Sequence, residues 1–466
     1  MQHRWPAHFG IAAFTVLTPA AAKAAAIDGA GMGWPWIAPF AGVLLSIAIG
    51  PLLFPRVWHR HYGKIAAVWA LAALVPLAIA FGVDAALAAF IHIALADYLS
   101  FIVLLFALYT VAGGLFISGS LGGRPLGNAS VLAFGTAIAS IVGTTGAAMI
   151  LVRPLIRANH ARKHNAHVIV FFIFLVGNIG GALSPLGDPP LLVGFLHGVD
   201  FLWPTANLWK ETLFVAVLVL TVFLAVDVLL ARRDDKRPSV GPPVRFYGLI
   251  NLPLIGGIIG MIVLSSLWRP GVSFEIYGTA VQLQNLARDA ALIAIALLSV
   301  WLTPVEHRAA NDFTWEPIRE VAKLFAAIFV CIVPVLAMLQ AGRAGAFAPL
   351  LSTINHVNGT PNEDAYFWLA GLLSAFLDNA PTYLIFFQLA GGEATELMTR
   401  LAPTLAAISM GAVYLGALTY IGNAPNLMVA AIASERGVKI PSFFAYMLWS
   451  CSVLLPVFAA MRLILE

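Results

Sequence analysis

Two apolar stretches break where an uninterrupted membrane helix would otherwise run. They are Gly180 to Leu192, GGALSPLGDPPLL, and Thr419 to Val429, TYIGNAPNLMV. Gly187-Asp188-Pro189-Pro190 in the first and Gly422-Asn423-Ala424-Pro425 in the second stand 235 residues apart. A second pair, Gly143-Thr144-Thr145 and Asp378-Asn379-Ala380, repeats that separation. Hydrocarbon offers no water to freed N–H and C=O groups, so a broken backbone survives there only inside protein or along a cavity. Interruptions at corresponding positions of two halves are the sequence sign of a carrier.

Composition agrees with a membrane setting. The 466 residues are 61% hydrophobic and 10% charged, against about 25% charged in soluble domains. The net charge of +4 resides in short loops between apolar runs, where it reports topology and not a nucleic-acid partner. The two cysteines, Cys331 and Cys451, fall in predicted spans and build neither a disulfide framework nor a zinc site. No dinucleotide fingerprint, Walker loop or hydrolase elbow occurs, so neither an enzyme nor a cofactor is expected.

In chain order, residues 1–26 read as a secretory signal, with Arg4, the apolar run Phe9 to Leu17 and an Ala-rich cleavage site. Spans of about 20 residues are expected near 34–53, 64–82, 98–118, 209–231, 246–267, 285–303, 321–340 and 442–464. Broken spans are expected at 168–198 and 402–434, and segment 85–96 is expected to lie along the interface. Segments 127–158 and 365–391 are too interrupted for one span and too short for two, and read as re-entrant hairpins with polar tips. Placing every basic loop in the cytoplasm requires the first hairpin to enter from inside and the second from outside. The expected fold is therefore an all-α polytopic membrane protein of two inverted-topology repeats, each with a hairpin and a broken helix. The repeats are 34–231 and 246–466, joined by a cytoplasmic linker 232–245.

Chemistry concentrates at the breaks. An aspartate in the middle of a span costs about 2.5–3.5 kcal/mol on insertion scales, so Asp188 needs a role. Pro189 and Pro190 leave upstream carbonyls unpaired. A carboxylate among such carbonyls is an all-oxygen pocket for a small hard cation, sodium at Asp188 and Asp378 being the expectation; a plain N-cap is the structural alternative for Asp188. Asp378, Asn379 and Thr382 repeat this chemistry at the outer hairpin, and Asn423 and Asn426 in the second broken helix. Thr144, Thr145 and Ser184 add hydroxyls, with Gly187 and Gly422 allowing the backbone to fold tightly. Arg153 is expected to snorkel, His160, His164 and His167 to lie in a solvated loop, and Asp97 and Asp227 to anchor span ends.

The stretches ALSPLGDPPLL, SAFLDNAPTY and YIGNAPNLMV resemble the NhaD-type sodium/proton antiporters of the ion transporter superfamily, and also a branch labelled for citrate transport. The resemblance covers most of the chain after residue 34. It implies an inverted-repeat, often dimeric carrier with acids at hairpin and broken helix, which carry over to Asp378 and Asp188. The family's first hairpin tip usually carries an Asp-Asn pair, where this sequence has Gly143-Thr144-Thr145. The expected function is secondary transport in a bacterial-type inner membrane, sodium/proton antiport by alternating access, with cation-coupled carriage of citrate or another organic anion as the alternative.

Overall fold

The computed structural model describes residues 27–119, 123–234, 244–356 and 359–465. The expected signal segment, and most of the expected linker, lie outside the described residues. The chain is a multi-pass helical membrane protein, with eight helices long and apolar enough to cross a bilayer and three shorter apolar ones among the described residues. Helices α1 (Ala38–Leu53), α2 (Pro55–Phe81) and α3 (Val83–Ala112) come first. On α2, Tyr62, Ala66, Ala73 and Leu77 form one buried stripe, while Val68, Leu71, Val75 and Ile79 are exposed. A helix that is apolar on both its buried and its exposed face is one that meets lipid.

Two expectations change here. The basic residues Arg56, Arg60 and Lys64 belong to the opening turns of α2 and not to a loop. Segment 85–96 does not lie apart from the next span; both belong to α3, through a π-helical turn at Ile93–Tyr98. That turn swings Asp97 into the interior, where the residue is 7% exposed, so the acid is not a span-end anchor.

The first hairpin consists of α4 (Pro125–Val142) and α5 (Thr144–Asn159), reversing at Gly143 with φ +80°. A side chain at that angle would be strained, which glycine avoids. Contacts mirrored about the tip establish the hairpin. A Cβ on Gly135 would lie 2.8 Å from Leu151 Cδ1, and Asn128 and Asn159 exchange side-chain hydrogen bonds of 2.9 and 2.8 Å. The first broken helix follows as α6 (Ala166–Leu175) and α7 (Pro189–Leu196), joined by a non-helical stretch with a short 3-10 turn at Ile179–Gly181. Then come α8 (Trp203–Ala231), α9 (Asn251–Leu267), α10 (Leu283–Leu302) and α11 (Glu316–Gln340).

The second hairpin is α12 (Glu363–Phe376) and α13 (Asn379–Leu389), closed at its base by the Tyr366 hydroxyl donating to the Leu389 carbonyl at 3.2 Å. The second broken helix is α14 (Ala402–Tyr414) and α15 (Ala424–Glu435), and α16 (Phe443–Leu465) ends the described chain. Two small antiparallel ribbons interrupt the helical pattern, Phe116–Ser118 with Arg245–Tyr247 and Ser273–Ile276 with Thr279–Gln282.

A buried ionic cluster ties the base of the first hairpin to α8. Arg162 pairs with Asp227 at 2.6 Å and with Asp234 at 3.1 Å. His167 Nε2 lies 2.9 Å from Asp227, and Asn128 donates to Asp227 at 2.9 Å. The solvated-loop expectation therefore fails for His167, which is 4% exposed, and Asp227 is a buried junction and not a surface anchor. Its partners Arg162 and His167 lie 65 and 60 residues earlier in the chain, before α7, which hides the pairing from a reading of local pattern.

Candidate functional site

The four breaks meet at one carboxylate. Asp188 is 1% exposed and precedes α7 in extended conformation, with Pro189 and Pro190 opening the helix. Proline suits this position, because the first N–H groups of a helix have no partner within it. Although Asp188 occupies the N-cap position, its side chain makes no capping bond. Its Oδ1 accepts from Thr144 Oγ1 at 3.2 Å and from Asn423 Nδ2 at 3.0 Å; its Oδ2 accepts from Asn379 Nδ2 at 2.6 Å. Each hairpin tip and each broken helix thus contributes one residue to the group.

The arrangement repeats at the spacing seen in the sequence. Asp188 and Asn423, 235 residues apart, are bonded to each other, and both precede their helices in the extended region (φ −143° and −151°). Thr144 and Asn379, at the same offset, both donate to Asp188. The hydroxyls of Ser184 and Thr419 donate to the carbonyls of Ser140 and Ala375, again matched positions. Leu186 N and Ile421 N donate back to those hydroxyls at 3.2 and 3.3 Å. Gly187 is required because a Cβ there would lie 2.1 Å from the Gly181 carbonyl oxygen; at Gly422 the matching distance to the Gly416 oxygen is 2.6 Å.

Other expected residues have different parts. The Asp378 side chain caps α13, accepting from Ala380 N at 3.1 Å, so the capping considered for Asp188 belongs to Asp378. It lies one residue from Asn379 and so shares the neighbourhood of Asp188. Thr382 returns its hydroxyl to the Asp378 carbonyl at 3.0 Å. Asn426 holds the second broken helix together, donating to the carbonyls of Gly416 at 3.0 Å and Thr419 at 3.2 Å. Asn178, unforeseen from sequence, is fully buried between the two broken helices. It donates to Asn426 Oδ1 and to the Ile173 carbonyl, both at 2.8 Å. The only local sign of it was a single amide inside the apolar run FLVGNIGG.

A cavity reaches Asp188, Pro189, Thr144, Thr145 and Gly187 along α5 and α15, walled by Tyr109, Ile318 and Met428. A second cavity lies at the other end of α7, lined by His92, Asp97, His197, Gln340 and Gln388. There His197 Nε2 lies 3.6 Å from Asp97. Arg153 does not snorkel: it is 9% exposed and pairs with Asp312 at 3.2 Å. Among the described residues no group of three or more His, Cys, Asp or Glu side chains is placed to hold a metal ion. A sodium site here would draw on carboxylate, amide, hydroxyl and backbone oxygens.

Interrupted helices and helical hairpins that meet at a buried acid are the layout of a membrane carrier. The chain belongs to the transporter family described as "Putative citrate transport", whose model matches residues 29–465. It is also similar to the uncharacterized transporter slr0753 of Synechocystis, at 24% identity over 350 residues, covering 70% of this chain and 73% of that protein.

Proposed function

We propose that this protein is a secondary active transporter of a bacterial inner membrane, in which Asp188 exchanges a proton for a sodium ion as access alternates between the two sides. One observation carries the reading. The Asp188 carboxylate is buried against neutral donors alone, and no Lys, Arg or His pairs with it among the described residues. A buried charge without a partner is costly, by several kcal/mol per ion after relaxation. A proton or a bound cation relieves that cost, and the alternation between them is antiport. Asn379 Oδ1, buried and without a hydrogen-bond partner, is a second oxygen suited to a cation beside the carboxylate.

The two cavities support alternating access. One reaches Asp188; the other stops at His197, nine residues along α7, or roughly 13 Å at 1.5 Å per residue. Carriage of citrate or another organic anion together with the cation is the second reading, favoured by the family description. In everted membrane vesicles, added sodium is expected to collapse a preformed pH gradient with no carboxylate present. Failure of sodium to do so, with sodium-dependent uptake of labelled citrate, would replace the first reading by the second.

A further inference from the structure

The two helices that line the Asp188 cavity carry, beyond it, a constellation that cation exchange does not use. On α5, Thr145 lines the cavity, Met149 packs with the cavity residues Tyr109 and Ile318, and Arg153 follows, each four residues on and so on one face. On α15, Ala424 and Met428 line the cavity and Arg436, eight residues after Met428, caps the helix end. Arg153 and Arg436 therefore lie on the two helices that line the cavity, beyond its last lining residues, with Arg153 about 15 Å from the hairpin tip by helical rise. Both guanidinium groups grip one oxygen, Oδ2 of Asp312.

Asp312 is an occupant open to solvent. Its side chain is 51% exposed, and its φ of +46° is an unfavourable angle for a residue other than glycine, tolerated best by Asp and Asn. Arg153 Nη1, in contrast, is buried and has no hydrogen-bond partner. A third guanidinium, Arg157, lies one turn further and donates to the Ile117 carbonyl at 2.9 Å. Three cationic side chains thus face one carboxylate. Such a field draws in an anion, and paired guanidiniums match carboxylate geometry.

We infer that Arg153 and Arg436 form a recognition site for an organic anion bearing two or more carboxylates, with Asp312 as an internal stand-in that the anion displaces. One carboxylate takes the place of Asp312 and a second engages Arg153 Nη1. This rests on the second reading of function, in which the cargo is an organic anion, and is independent of which cation Asp188 takes.

The test uses the full-length protein in lipid nanodiscs at high sodium, with citrate, succinate and acetate as probes in calorimetric titration. Citrate and succinate are expected to bind, and acetate far more weakly. Arg153→Gln is expected to weaken binding by roughly ten- to hundredfold, the loss of one charged hydrogen-bonding partner. Asp312→Asn, which keeps a residue tolerant of the left-handed angle, is expected to tighten binding several-fold by removing the competitor. Asp188→Asn is expected to retain anion binding at Arg153 and Arg436 while losing the sodium response, which separates the two proposals. No binding of any probe to the wild type would overturn the inference, even if sodium/proton exchange is intact. So would weaker binding in Asp312→Asn, because the trio would then be a clamp and not a site.

Discussion

At the scale of single residues, the two acids separate by what their oxygens do. Asp188 spends both on donors from other elements, whereas Asp378 uses one on its own helix terminus. Asp188→Asn keeps the shape but removes the charge and places an amide against amide donors, so cation-driven exchange is expected to vanish. Assay in everted vesicles checks this, with membrane content and a monodisperse detergent profile confirming that the chain still folds. Asn caps a helix about as well as Asp, so Asp378→Asn tests charge alone: loss of exchange would give Asp378 a transport role, and intact exchange would leave it a cap. Gly187→Ala meets a different limit. Its Cβ would lie 2.1 Å from the Gly181 oxygen, which forces the turn open. Overpacking of this kind costs about 1–3 kcal/mol, and a lowered melting temperature in detergent is the expected reading, with Gly422→Ala milder.

At the scale of elements, the interruptions were legible because Gly, Pro and amides have few reasons to enter lipid-grade sequence. The hairpin read at 127–158 spans Pro125–Asn159, and the one read at 365–391 spans Glu363–Leu389. The long α3 was not legible, since His92 and Asp97 look like a polar boundary until a π-helical turn folds the acid inward. Partners distant in sequence were equally hidden: nothing near Arg153 announces Asp312, 159 residues away. The same holds for the junction at the base of the first hairpin, where Arg162, His167 and Asn128 converge on Asp227. Asp227→Asn leaves Arg162 with Asp234 alone and takes the buried carboxylate from His167, so it is expected to lower thermal stability, while Asp364→Asn, at a pair whose acid is 67% exposed, is expected to change it little. Equal effects on the melting temperature would remove the claim that the hairpin base is held by this cluster.

At the scale of the whole molecule, matched contacts at one offset tie the two halves together about the Asp188–Asn423 pair. We propose that they are inverted repeats, as the distribution of basic loops requires, and that exchanging their conformations carries Asp188 from one cavity to the other. Near-identical frames with different tips, Gly143-Thr144 against Asp378-Asn379, make the site asymmetric in charge while the scaffold stays symmetric in shape. Such a machine opens one cavity only by closing the other, because a packed core switches between discrete arrangements and does not stretch. With Cys331 and Cys451 replaced by serine, a cysteine at Met428 reports the cavity that reaches Asp188, and one at Gln388 the cavity beside His197. Membrane-impermeant thiol reagents are expected to reach the first from the cytoplasmic face and the second from the outer face. A shift from acid pH to saturating sodium is expected to change the two labelling rates in opposite directions. If both rates rise or fall together, the cavities belong to a channel-like opening, and alternation between inverted halves is the wrong account of how this chain moves its cargo.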